Sequence, residues 1–426
     1  MEMTIIVLFA LIYLLTVLLS ATKVVQLPVA ALGGALLTAW FGLQYGVFSY
    51  QDALDFVDVQ LLVLIIGTMI VVEVAEKSGL FRFGALYAVK LSKGNPGRLF
   101  VSICVISAAV SMFLSDPTAM LLMAAATITI SKLLDYDPVP YFLSATMMIN
   151  LGGTSTLIGS TSNMVIGVRS SLSFYDFISY LALCEIALWG LTIAALYFIF
   201  KPRLGKKKAL PEYNPWESVE NKKLFFESIL ILLLLLFLFI ALESLGVGPE
   251  AVALGCAILA LVVSNADPTE IFKRLDWETV FFIAGFMFII GGLQKTEILT
   301  VVSTSIFDVA GNPLNATLTT LWFSGLASAI VSNVAIALTF LPIIGGFHML
   351  NPALRPAVSS ALILGTNLGG ATTPLSGSVC LMAIGTLKRE GISISFSEFT
   401  KVGLITSILQ LGFASIYLII RFGLGG

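Results

Sequence analysis

The chain has 426 residues, 58% of them hydrophobic and only 11% charged, with a mean hydropathy of +1.00. That leaves too little polar surface to cover a soluble globule, so composition predicts an all-α polytopic protein of the cell membrane, embedded in the lipid bilayer. A formal charge of −2 offers no electrostatic basis for binding nucleic acid or an anionic surface.

Apolar runs suited to spanning a bilayer, about 17–25 residues each, begin near Ile5, Val24, Val59, Phe177, Leu224, Glu250, Val280 and Val402. The first run lacks a positive n-region, since Met1-Glu2-Met3 precedes it and Lys23 follows it, so it is read as a retained helix and not a signal peptide. Segments 98–134 and 314–350 are read as re-entrant hairpins, and 138–168 as a broken span. The basic stretch Lys201-Pro202-Arg203, Lys206-Lys207-Lys208 and Lys222-Lys223 divides the chain into an N-terminal repeat, 1–200, a linker, 201–223, and a C-terminal repeat, 224–426. By the positive-inside rule the linker is cytoplasmic and both termini are outside. This topology leaves only Arg169, Lys295, Arg355 and Arg421, of 23 Lys and Arg, on the outer side.

A polar signature occurs twice. The first copy runs Ser115-Asp116-Pro117, Asn150-Leu151-Gly152-Gly153, Thr156 and Gly159-Ser160-Thr161-Ser162-Asn163; the second runs Ser332-Asn333-Val334, Asn367-Leu368-Gly369-Gly370, Thr373 and Ser376-Gly377-Ser378. The spacing is shared, because 332 − 115 and 367 − 150 both equal 217. Gly67 likewise matches Gly285, and Lys77 matches Lys295. Five predicted crossings separate Gly67 from Gly285, an odd number, so the halves insert upside down. The predicted fold is therefore an inverted-topology repeat with two re-entrant helical hairpins and two broken transmembrane helices. Chance recurrence of Gly, Ser and Thr used for helix packing is the alternative.

Backbone can leave a helix at membrane depth only where it lines a protein cavity, so the paired breaks mark a central site. Ser115, Asp116, Thr118, Thr161, Ser162, Asn163, Ser332, Asn333, Thr373, Ser376 and Ser378 are the candidate substrate-binding residues. Hydroxyls, amides and freed carbonyls also suit a hard cation, and the candidate cation-binding residues are Ser115, Asp116, Asn150, Gly153, Thr156, Ser332, Asn333, Asn367 and Gly370. Asp116 is the leading functional residue, because a carboxylate at a hairpin tip needs a wet cavity, a cation or a proton. It could instead cap the helix that follows, and Gly152-Gly153 and Gly369-Gly370 could serve only close packing. Glu73 and Glu185 are embedded acids readable as proton carriers or as paired structural acids. Cys104, Cys184, Cys256 and Cys380 show no metal-ligand spacing, and a zinc site or a catalytic triad would have to be built around the single histidine, His348. No catalytic residue, resident metal or cofactor is expected beyond a coupling Na⁺ or H⁺.

At these motifs the chain resembles the ion transporter superfamily of arsenite efflux permeases (ArsB type), NhaD-type Na⁺/H⁺ antiporters and divalent-anion/Na⁺ symporters. The resemblance rests on Asn150-Leu-Gly-Gly-Thr-Ser-Thr-Leu-Ile-Gly-Ser-Thr-Ser-Asn163 and Asn367-Leu-Gly-Gly-Ala-Thr-Thr-Pro374, and covers the chain from about Val24 onward. It implies hairpins entering from opposite faces with substrate held between their tips, and for the symporters a homodimer. The symporters' Ser-Asn-Thr tips are replaced here by Ser115-Asp116-Pro117 and Ser332-Asn333-Val334, whereas arsenite permeases place an Asp at Asp116. Many members have an Asn where this chain has Cys380.

The expected function is secondary active transport, not enzymatic catalysis: a small anion or oxyanion of the di/tricarboxylate or arsenite class, coupled to Na⁺ or H⁺, moved by alternating access. A Na⁺/H⁺ antiporter in which Asp116 exchanges the two cations is the alternative, followed by a channel or an intramembrane enzyme. No Walker A motif is visible, and a partner ATPase, which would leave no certain mark on this chain, is not excluded.

Overall fold

A computed structural model describes residues 3–22, 24–114, 116–208, 214–310, 312–350 and 352–423; the side chains of 116–117, 244, 306–310, 346–350, 378 and 381 are not described. Ser115 and the side chains of Asp116, His348 and Ser378 therefore lie outside the described residues. Twenty α-helices and no strand are found among the described residues.

The helices form two runs of ten in the same order. From the first half come α1 (Met3–Thr22), α2 (Leu27–Gln44), α3 (Tyr50–Asp55), α4 (Val59–Lys77) and α5 (Leu80–Ser92). They correspond to α11 (Lys222–Ala241), α12 (Pro249–Ser264), α13 (Pro268–Arg274), α14 (Trp277–Lys295) and α15 (Ile298–Ala310). Then α6 (Pro96–Ser111), α7 (Asp116–Leu133), α8 (Pro138–Gly153), α9 (Thr161–Arg169) and α10 (Phe174–Phe200) correspond to α16 (Pro313–Ser328), α17 (Asn333–Leu350), α18 (Arg355–Gly369), α19 (Ser378–Arg389) and α20 (Phe396–Phe422). Seven segments are long and apolar enough to cross a membrane. The shorter helices make the hairpins, α6 with α7 and α16 with α17, and the broken pairs, α8 with α9 and α18 with α19.

Local sequence starts the hairpins alike. Asn95-Pro96 and Asn312-Pro313 each place Pro in the first helical turn, and the Asn side chain accepts from Arg98 N at 3.0 Å in one case and Asn315 N at 2.8 Å in the other. Sixteen residues in α6 rise about 24 Å at 1.5 Å per residue. That falls short of a hydrocarbon core of about 30 Å, so the chain turns back inside it.

Packing interlocks the halves. A Cβ on Gly67 of α4 would stand 2.8 Å from the Ala253 backbone of α12, and one on Gly285 of α14 would stand 2.8 Å from the Ala31 backbone of α2. Helices in lipid gain no hydrophobic drive from meeting each other, so such close backbone approach supplies the van der Waals contact that holds them. Two cross-half ion pairs repeat the pattern: Lys77 Nζ to Glu270 Oε2 at 2.8 Å, and Lys295 Nζ to Asp52 Oδ1 at 2.6 Å. The inverted repeat is thus present in helix order, in close packing and in charge.

Candidate functional site

A cavity of about 400 Å³ lies where the hairpin tips meet the two helix breaks. The tips contribute Phe113, Thr118, Ile330, Ser332 and Asn333, and the breaks contribute Gly159, Ser160, Thr161, Gly370, Ser376 and Gly377. One wall comes from α4, with Thr68, Met69, Val72 and Glu73, and a rim from Arg274, Asp276, Glu278 and Thr279.

Each break is tied to its own hairpin in the same way. Thr156 Oγ1 donates to the Met112 carbonyl at 2.6 Å, and Thr373 Oγ1 donates to the Ala329 carbonyl at 2.7 Å. The breaks also meet each other. Asn150 Nδ2 donates to the Asn367 carbonyl at 2.6 Å, Asn367 Nδ2 to Asn163 Oδ1 at 2.7 Å, and Ser162 Oγ to Asn367 Oδ1 at 3.3 Å. All four residues are buried, and leaving such a group unpaired costs about 1–3 kcal/mol. The network therefore ties the two breaks to each other in this conformation.

The helices that restart after the breaks, α9 and α19, point uncapped N-termini at the cavity. Ser160, the N-cap of α9, makes no side-chain cap, and its hydroxyl lies 2.9 Å from Ser162 Oγ. Gly377, the N-cap of α19, has no side chain to offer. Two sets of orphan N–H groups and two positive dipole ends therefore flank one space, an arrangement suited to anionic groups.

Of the predicted substrate-binding residues, Thr118, Thr161, Ser332, Asn333 and Ser376 line the cavity, while Ser162, Asn163 and Thr373 stand behind it in the hydrogen-bond network. Of the predicted cation-binding residues, Asn150 and Gly370 reach the cavity along with Ser332 and Asn333; Gly153, Thr156 and Asn367 support it from behind. The carbonyls and hydroxyls around Thr156 and Thr373 are hard oxygen donors of the kind Na⁺ takes. Among the described residues no group of three or more His, Cys, Asp or Glu is placed to hold a metal ion.

Sequence reasoning missed the charged rim. Arg274 Nη1 pairs with Glu73 Oε1 at 3.4 Å, and Asp276 and Glu278 lie beside them on the cavity. Glu73 is therefore a paired acid. The readable signal was Asp276, which caps α14 as Asp58 caps α4, each accepting from the third residue on at 3.1 and 3.0 Å.

The rim faces the linker side of the molecule, where Gly79, just past the end of α4, abuts the Ser218 carbonyl. The opposite face is closed. There Arg169 Nε pairs with Asp58 Oδ2 at 3.2 Å, and Arg355 Nε donates to the Ser170 carbonyl.

Inverted halves, two hairpins and two broken helices around a cavity lined by apolar side chains together with hydroxyls and amides define a membrane transporter. The CitMHS family profile, described as "Citrate transporter", matches residues 7–360, and the chain belongs to that family. A "46 kDa membrane protein" of Mycobacterium leprae is 27% identical over 96% of this chain and 97% of its own. An uncharacterized transporter of Mycobacterium tuberculosis is 27% identical over 88% of each. The human "P protein" is 22% identical over 87% of this chain and 54% of its own length. The YdaH transporter of Alcanivorax borkumensis, solved by crystallography and described as having an unusual topology, shares the fold with a TM-score of 0.61 at 17% identity, over 99% of this chain and 98% of that one.

Proposed function

We propose that the protein is a secondary active transporter of a small di- or tricarboxylate, coupled to Na⁺ or H⁺ and working by alternating access. The observation that carries this reading is the pair of uncapped N-termini, α9 and α19, converging on one cavity of about 400 Å³. Two such ends suit a molecule bearing more than one carboxylate, and favour it over arsenite, which is uncharged at neutral pH. The family's description points to the same class.

Charge at the rim supports cation coupling. Glu73, Asp276 and Glu278 outnumber Arg274 there, so a polycarboxylate entering from the linker side meets net negative charge unless cations accompany it. Positive-inside reasoning makes the linker face cytoplasmic, so this conformation opens inward. The same acids favour a second reading, Na⁺/H⁺ exchange without an anion.

The test is uptake into proteoliposomes under imposed Na⁺ and pH gradients, with citrate, succinate, sulfate and arsenite, comparing wild type with Arg274→Gln. Gradient-driven accumulation of a carboxylate, with KM raised in the variant, supports the carrier. Proton flux driven by a Na⁺ gradient, with none of the four ligands moving, replaces it with the exchanger.

A further inference from the structure

Outside the cavity, one acid within an apolar helix has no counter-charge among the described residues. Glu185 of α10 is 2% exposed. Its Oε2 accepts from Ser155 Oγ at 3.4 Å, a long contact, and Ser155 Oγ in turn accepts from Trp189 Nε1 at 3.1 Å. Among the described residues its buried Oε1 has no hydrogen-bond partner, and no ion pair reaches it. Ser155 belongs to the break between α8 and α9, a few residues before Gly159 and Ser160, which line the cavity.

The other half shows what this place holds when it needs no acid. Glu185 and Ser407 occupy equivalent positions in α10 and α20, since 185 − 174 and 407 − 396 are both 11, and Ser155 corresponds to Thr372. There the Thr372 and Ser407 hydroxyls are 2.8 Å apart, and Ser407 donates to the Leu368 carbonyl at 2.8 Å. A neutral, fully bonded pair of hydroxyls thus meets the structural need. Glu185 exceeds that need by one carboxyl oxygen, which is left orphaned.

Among the described residues no opposing charge stands at its level. Glu398, Lys401 and Arg421 on α20, Arg98 on α6, Lys222, Lys223 and Glu227 on α11, Arg355 on α18, Asp176 on α10 itself, and Lys201 and Arg203 just past its end sit toward helix ends, and α8 carries no charged residue. The titratable neighbours are the Cys184 thiol beside it and, beyond that thiol, Tyr417 of α20. A carboxylate held this way, with one oxygen unsolvated and no cation, is costly, whereas a carboxyl is not.

We infer that Glu185 is a proton-binding site of the transport cycle: it takes up H⁺ on Oε1 as the break packs against α10, and releases it when the Ser155 segment moves and admits water. The inference deepens the transporter reading and rests on it for the coupling step. Binding converts carboxylate and H⁺ to carboxyl, and release reverses this, with no other reactant. Protonated, Glu185 lets the break of the first half seat as its counterpart does; ionised, it destabilises that seat. One proton is thereby linked to the position of a segment that forms the cavity wall.

Two arms test this. In the first, pH-difference infrared spectra of purified wild type, Glu185→Gln and Glu185→Ser are compared without any transported ligand; Glu185→Gln keeps an acceptor and a donor, and Glu185→Ser copies the second half. A protonated-carboxyl band that titrates in wild type and is missing from both folded variants is the expected result. Its absence from wild type overturns the proton site whether or not the protein transports. In the second, citrate and succinate accumulation is driven by a pH gradient. Loss of that accumulation in Glu185→Gln, with ligand exchange at equal pH retained, is expected, and pH-driven accumulation equal to wild type overturns the coupling role. Wild type moving neither ligand under any gradient defeats the carboxylate reading instead, and the infrared arm still decides the proton site.

Discussion

Asn163 and Ser376 do the same work in opposite halves, although they are not equivalent in sequence. Asn163 Nδ2 donates to the carbonyls of Gly153 and Thr156 at 2.9 and 2.7 Å. Ser376 Oγ lies 2.7 and 2.6 Å from the carbonyls of Gly370 and Thr373, the matching pair of the second half. The residue at the place of Asn163 is Cys380, whose Sγ is 3.6 Å from the Gly370 carbonyl. Each break thus has a donor closing its carbonyls, supplied after the restart in one half and before it in the other.

Their contributions differ because Asn163 does more. It bridges two carbonyls with two N–H groups and accepts from Asn367 Nδ2 of the other half at 2.7 Å, whereas Ser376 shares one proton among its acceptors and accepts the Thr373 N–H of its own loop in a long contact of 3.4 Å. Asn163→Ala is expected to destabilise by roughly 2–4 kcal/mol and Ser376→Ala by about 1–2, on the scale of about 1–3 kcal/mol per buried group left unpaired. Thermal unfolding in detergent measures both, and equal losses would contradict the asymmetry.

Gly152 and Gly369 answer a question that composition left open. A Cβ on Gly152 would stand 2.2 Å from the Ala108 carbonyl oxygen, and one on Gly369 would stand 2.0 Å from that of Gly325. These are contacts of α8 with α6 and of α18 with α16, so the first glycine of each Gly-Gly pair serves packing, whereas Gly370 lines the cavity. Gly152→Ala and Gly369→Ala must push backbone apart, at about 1–3 kcal/mol or more for overpacking. Both variants should show lower yield and lower thermal stability in detergent. Wild-type stability in both would mean that the hairpins move away without cost.

These positions show what was legible in the sequence and what was not. Asn150 and Asn367 could be read directly, because a polar break within an apolar run has few explanations, and its recurrence at fixed spacing disclosed the duplication. Arg274 could not. It meets Glu73 across 201 residues, from the other half, and nothing local in either segment announces the pairing. Nor could the exchange of roles between Asn163 and Ser376, since it rests on loop geometry that residue identity at matched positions conceals. Glu185 was visible as an embedded acid, but that no ion pair reaches it among the described residues is a property of packing alone.

The Lys77 ammonium beside Glu270 holds that carboxyl below the usual Glu range. A carboxyl whose folded value is depressed contributes above its unfolded value, and that contribution is lost as pH falls through the lower folded value. The stability difference between wild type and Glu270→Gln should therefore be constant through neutral pH and disappear only at acidities below the ordinary Glu range. It should be small and shrink with salt, because the pair is exposed. Unfolding midpoints against pH, at low and high salt, test this. A difference that vanishes nearer neutrality would place the Lys77 charge away from the carboxyl.

Asp58 and Asp276 cap equivalent helices, yet only Asp58 has an ion pair among the described residues, with Arg169 on the closed face. Asp276 lies on the open cavity. If the halves exchange conformations during transport, Asp58 must give up Arg169 as the closed face opens, and the pair then biases the cycle toward the state seen here. A part-exposed pair of this kind is worth about 0.2–1 kcal/mol, so Arg169→Gln should raise the population open on that face by up to about fivefold. A cysteine placed at Leu172, which is buried on that face, reads the change as faster modification by a membrane-impermeant thiol reagent. A variant labelling no faster than the Arg169 parent would mean that the ion pair only decorates the closed face, leaving the Arg355 contact to the Ser170 carbonyl to hold it shut.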